Sequence, residues 1–280
     1  MYKKILAAVN EFTNSEMAAR YAIALSRSCE ARLFLVFVAE EKINRNILRH
    51  VKSSLDGLFI EAKSSNVEVE SVIERGDPFK KITGMVKENN IDILFTATRR
   101  EDITKRFFVK TLAREFIVKL PCSVAMVRVV RMGKMHPKRI LVPLRGHMTG
   151  IEERAFFVAK LAQAFDSAVT LFHTTSPIKS FFHGEIYLKA AQREEHIPKD
   201  MERFIELLNK YEIIHEKRTG HGRIARAITI EAALRRDDLV VMGASERSLL
   251  SSLIRGNPME DVLRETPCNL VIFRPRHEHQ

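Results

Sequence analysis

The chain has 280 residues, 45% hydrophobic and 29% charged, enough apolar content for the cores of about two domains. Its net charge of +11 attracts anions in general, but no RNA-binding aromatic motif, zinc finger or helix-turn-helix pattern comes with it, so nucleic acid is not an expected partner. No apolar run reaches the roughly 18 residues of a membrane helix, which leaves no expected membrane span.

The first elements already set the style of the whole. Ile5–Val9 reads as a buried strand rather than part of a leader, because Asn10 and Glu11 break the apolar run. Residues 14–29 read as a helix, with Asn14 as its expected cap and Met17, Tyr21 and Leu25 on its inner face. Leu33–Val38 is almost continuously apolar, as expected of a strand covered on both faces. A helix follows from Ile43 to about Ser64. Val67–Ile73 alternates instead, which places it nearer an edge. Pro78 opens a helix to about Glu88, Ile91–Ala97 is a strand, 111–119 a helix and Ser123–Val129 a closing strand. Strand and helix in strict alternation imply a parallel sheet with helices on both faces.

The same unit is then written again. Lys3-Lys4-Ile5-Leu6 recurs as Lys138-Arg139-Ile140-Leu141, and Glu16 and Ala19 fall on Glu152 and Ala155. From Gly76 and Gly222 onward the copies run at a constant offset, placing Asp92 on Asp238 and Pro121-Cys122 on Pro267-Cys268. A repeat of this length implies two similar domains, 1–130 and 138–280, joined by a linker over 131–137. The second copy is longer between its second and third strands. That stretch, Pro177–Tyr211, is expected to form an extended helix interrupted near Pro198, with a lid as the alternative. The three cysteines, Cys29, Cys122 and Cys268, form no CxxC pair and read as buried apolar groups of a reducing compartment, so a cytoplasmic location is expected.

The most informative stretch closes the second copy. An apolar run ends on Gly243, a polar loop carries Glu246, Arg247 and Arg255, and Gly256-Asn257-Pro258 signals a helix start with Asn257 as cap. Strand, glycine, loop, glycine and helix start form an arrangement that turns backbone N–H groups toward a phosphate. The order and spacing of these residues, with the Pro-Cys strands and Arg75-Gly76-Asp77-Pro78, resemble the universal stress protein family, whose loop is Gly-x2-Gly-x9-Gly-Ser/Thr. Glu246 stands at the second glycine of that pattern and Asn257 at its Ser/Thr.

The resemblance implies α/β architecture. It calls for two tandem Rossmann-like (adenine-nucleotide alpha-hydrolase-like) domains, each a five-stranded parallel sheet flanked by helices. It also implies an antiparallel contact between the last strands, Ser123–Val129 against Asn269–Phe273, which makes an intramolecular pseudo-dimer and leaves a homodimer open. Such sheets bind ligands beyond the carboxyl ends of their strands. The implied ligand is ATP or another adenine nucleotide, with Mg2+, held in the second half by Arg145, Gly243, Arg247, Arg255, Gly256 and Asn257. Arg145 stands where an acidic residue is expected, either gripping a phosphate or filling the pocket as a built-in cation. The first half lacks all three glycines, with Ala97, Arg100 and Lys110 in their places, although Thr111 keeps the hydroxyl.

No catalytic pattern or metal set is present among the ten histidines, so no dedicated enzyme is expected; slow hydrolysis of bound ATP stays open. The expected role is a stress-type regulatory protein. The alternative is a nucleotide-free scaffold of the same fold that works through unknown protein partners.

Overall fold

The computed structural model describes residues 1–41, 43–98, 111–175, 198–244 and 258–276. The first copy runs β1 (Lys4–Ala8), α1 (Thr13–Cys29), β2 (Arg32–Ala39), α2 (Arg45–Ser64), β3 (Val69–Arg75), α3 (Pro78–Glu88), β4 (Ile93–Ala97), α4 (Leu112–Lys119) and β5 (Ser123–Arg128). The second runs β6 (Arg139–Leu144), α5 (Ile151–Phe165), β7 (Ala168–Thr175), α6 (Lys199–Lys210), β8 (His215–His221), α7 (Ile224–Leu234), β9 (Leu239–Gly243), α8 (Pro258–Glu265) and β10 (Asn269–Arg274).

All ten strands form one sheet, ordered β3-β2-β1-β4-β5-β10-β9-β6-β7-β8. Every pairing is parallel except β5 with β10, where the copies meet antiparallel. The expected pairing of the last strands is therefore present. Its register centres on Met126 opposite Ile272, residues that are themselves equivalent in the repeat, so a pseudo-two-fold axis passes between them. The edges fall on β3 and β8, whose residues are mostly exposed or half-buried, while β5 and β10 are buried throughout. The alternation read in the β3 sequence is the signature of that edge position.

Local chemistry explains the element boundaries. Asp77 caps α3 by accepting from the Lys80 N–H at 2.8 Å, with Pro78 in the first turn, and Asn44 caps α2 in the same way. Asn14 does not cap α1. The helix starts earlier, after Phe12, and the Asn14 amide donates to the Thr98 carbonyl at 3.2 Å. Pro198 stands immediately before α6, where its fixed φ and missing N–H cost nothing. The remainder of the expected insertion, 176–197, lies outside the described residues.

Aspartates at the entry to β4 and β9 repeat one device. Asp92 accepts from the backbone N–H groups of Lys3 and Lys4, and Asp238 accepts from those of Lys138 and Arg139. Each ties the start of one strand to its neighbour.

Asp237 breaks the symmetry. Its counterpart is Ile91, a core residue, yet Asp237 is only 1% exposed and neither carboxylate oxygen has a hydrogen-bond partner among the described residues. Burial pushes its pKa up to about 6, against the pull of Arg235 and Arg139. A carboxyl whose folded pKa is raised favours the protonated fold. Its contribution to stability is therefore greatest below the unfolded pKa of about 3.9 and declines as pH climbs to about 6. Asp237→Ile is expected to gain about 1–2 kcal/mol at pH 7.5, after allowance for solvent screening, and less at pH 4.5. Urea midpoints at the two pH values measure this; a gain that does not change with pH rules out the orphaned charge as its source.

The helices divide between the faces. α1, α2, α5 and α6 cover one apolar cluster, and α3, α4, α7 and α8 cover the other. On the first face α1 packs directly against α5 across the junction. No helix among the described residues is long and apolar enough to cross a membrane.

Candidate functional site

A cavity of about 1070 Å³ opens in the second half beyond the carboxyl ends of β6, β9 and β10. This is the crevice that a doubly wound sheet leaves where its strand order reverses. Its lining is mixed, with Val142, Val158, Phe172, Phe204, Ile228 and Met242 as its apolar part. The start of α5 forms one side. There Gly150 adopts a φ of 63°, and a β-carbon would lie 2.8 Å from Cγ of Pro275. Only glycine lets the chain leaving β10 pass so close to this helix start.

Arg154 rises from α5 into the floor of the cavity and is 7% exposed. Its Nε donates to the Thr149 carbonyl at 2.7 Å, Nη1 to Phe273 at 3.3 Å and Nη2 to Ala244 at 2.5 Å. Burial lowers its pKa to about 10; Glu153 opposes the shift and Arg145 adds to it. The guanidinium therefore stays charged at neutral pH. Among the described residues it has no carboxylate in ion-pair contact, since Glu153 is engaged with Tyr2, Ser123 and the Arg276 N–H.

Gly243 acquires its reason here. A β-carbon at this position would collide with Nη1 of Arg154 and lie 3.0 Å from Cζ. The glycine at the end of β9 makes room for a guanidinium. Arg145, by contrast, is exposed at the end of β6 and is not the cation that fills the floor. Arg247, Arg255, Gly256 and Asn257 lie outside the described residues, so the structure brings together Arg145 and Gly243 of the six expected residues and adds Arg154. Pro258 opens α8 as the sequence suggests. The rim carries Arg145, His147 and Arg276. The wall's carboxylate, Asp200, accepts from the Met148 N–H at 2.8 Å.

The first half is arranged differently at the same place. Thr98 is the counterpart of Ala244, and each donates its N–H to the last strand of its own copy, to Val127 and Phe273 respectively. The carbonyls of these two residues are satisfied by Asn14 in one copy and by Arg154 in the other. The position of α1 equivalent to Arg154 is Ala18, fully buried in the core. Thr111, the retained hydroxyl, caps α4 by accepting from the Arg114 N–H. Residues 99, 100 and 105–110 lie outside the described residues. No group of three or more His, Cys, Asp or Glu side chains able to hold a metal occurs among the described residues. The cysteines are not activated: burial raises the thiol pKa to about 11 for Cys29 and Cys268 and about 12 for Cys122.

Fold and cleft together define a tandem α/β protein with an open cationic crevice in its second copy. The model of the Universal stress protein family matches residues 1–128 and again 137–274, and the chain belongs to that family. Among solved structures, a universal stress protein from Archaeoglobus fulgidus DSM 4304 aligns over 99% of this chain and 97% of its own, with a TM-score of 0.63 and 13% identity. A functionally unknown protein from Pseudomonas aeruginosa PAO1 covers 98% of this chain and 93% of its own, with a TM-score of 0.63 and 14% identity. The cytoplasmic domain of a prokaryotic cation chloride cotransporter has the same architecture, covering 99% and 96% with a TM-score of 0.55 and 13% identity. At these identities the likeness is one of fold. No curated protein matches the chain.

Proposed function

We propose that this chain is a stress-type regulatory protein of the cytoplasm that binds an adenine nucleotide, ATP with Mg2+ foremost, in the cavity of its second half. The observation that carries the reading is the cavity itself: apolar side chains in part of its wall for a base, cations at floor and rim, and a place at the carboxyl ends of the strands. Binding would change the surface offered to protein partners. Chemistry on the ligand is not its task, beyond slow hydrolysis of a phosphate that water can reach.

The test is thermal denaturation with ATP and Mg2+. Ligand at a hundred times its Kd stabilises by about 2.7 kcal/mol, which raises the midpoint by several degrees in a protein of this size. An unchanged midpoint at millimolar ATP would sink the reading. One observation favours a second one, a nucleotide-free scaffold: the open face of Gly243 is already occupied by Arg154. In that case partner binding is independent of nucleotide.

A further inference from the structure

We propose that Arg154 is the anion anchor of the second-half cavity, receiving one phosphate group of the ligand on the edge of its guanidinium that faces the cavity. The inference deepens the nucleotide reading and rests on it for the identity of the ligand, but not for the anion seat itself.

The starting point is a surplus. Satisfying the carbonyl at the end of the fourth strand takes one N–H, and in the first copy the short neutral Asn14 supplies it. The second copy uses a buried guanidinium for the same carbonyl. Desolvating a cation is costly unless an anion or a full set of acceptors compensates. Arg154 carries five N–H donors. Three are engaged by Thr149, Phe273 and Ala244, all neutral carbonyls, which leaves two among the described residues. No carboxylate forms an ion pair with it among the described residues. Arg154 thus brings a full charge and two spare donors to the floor of a cavity of about 1070 Å³, where a planar fork suits two oxygens of one anionic group.

Two further features fit. Gly243 holds no side chain against the guanidinium, and any other residue there would displace it. Asp200, the carboxylate in the wall, is turned to the Met148 N–H instead of pairing with Arg154. The cation is positioned by backbone carbonyls on three sides and, among the described residues, left without a partner on the side of the cavity.

Isothermal titration of the full chain with adenosine, AMP and ATP, repeated on Arg154→Gln, separates anchoring from a merely structural role. Arg154→Gln is expected to weaken AMP and ATP roughly ten- to hundred-fold, the usual worth of charge-assisted hydrogen bonds, while adenosine changes less than about two-fold. Equal weakening of adenosine, or unchanged AMP and ATP affinity, overturns the proposal. If Arg154→Gln fails to fold, Arg154→Lys keeps the charge and removes the fork; it should still lose about ten-fold toward AMP, and wild-type affinity overturns the anchor. If the wild-type chain binds none of the three, the nucleotide reading has failed, and inorganic phosphate decides the anchor alone. A rise in thermal midpoint with phosphate in the wild type but not in the variant upholds it; no rise in either overturns it.

Discussion

Phe157→Ala is expected to remove about 3–5 kcal/mol of stability and to loosen both halves of the chain together. Phe157 lies on α5, fully buried. Its ring stacks on Phe273 of β10 with centroids 4.2 Å apart and planes 6° from parallel, and it also meets Phe95 of β4 at 6.2 Å. One side chain therefore joins a helix of the second copy to strands of both copies. Truncation loses the transfer energy of the ring and leaves a void that surrounding strands, fixed by their ladders, cannot close. Because the sheet is continuous through β5 and β10, the loss should appear as one cooperative transition at lower denaturant. Chemical denaturation followed by circular dichroism and by fluorescence checks this. Two separate transitions, with the first half unaffected, would show that the copies fold independently.

Much of this architecture was legible before any coordinates. Apolar runs of strand length, amphipathic runs of helix length and a constant offset between the copies specify which strands are equivalent, while the β5–β10 junction was implied by the family resemblance alone. Burial on both faces leaves its mark on β2 and edge position on β3, because composition follows exposure. Caps were less legible. Asn14 resembled a helix start, and what decides its role is the Thr98 carbonyl, 84 residues away, which no local pattern announces. Gly243 was visible as a special residue, but its reason was not. A glycine at a strand end fits an approaching phosphate and an approaching guanidinium equally well. Arg154 was missed because Glu152-Glu153-Arg154 looks like an ordinary solvated first turn. The available signal was its alignment with Ala18, a core position of α1, since an arginine where the other copy has a buried alanine must reach past the core to something polar.

Asn269→Leu should be the second most damaging change, at about 2–5 kcal/mol, and it should act on the passage between the copies. Asn269 begins β10 and is completely buried. Its Oδ1 accepts from the N–H groups of Val130 and Arg131 at 2.8 and 2.9 Å, and its amide donates to the Tyr21 hydroxyl at 3.2 Å and to the Arg131 carbonyl at 3.3 Å. The chain leaving β5 is thus pinned at its first residues. The repeat explains why this position matters. Its counterpart is Ser123, whose hydroxyl accepts from the Arg276 N–H at 2.7 Å, and Arg276 is in turn the counterpart of Val130. Both copies use the first residue of the last strand to hold the chain that leaves the partner strand, across the pseudo-two-fold axis. Leucine matches asparagine roughly in size but offers no acceptor, so two part-buried N–H groups lose their partner, each at up to about 1–3 kcal/mol. Asn269→Ser, which imitates Ser123, should recover part of the loss by restoring one acceptor. Hydrogen exchange measures the effect directly: the amides of Val130 and Arg131 should lose protection in Asn269→Leu beyond the global loss and regain some of it in Asn269→Ser. Unchanged protection at these two amides would mean that the linker is held by its own turn and not by β10.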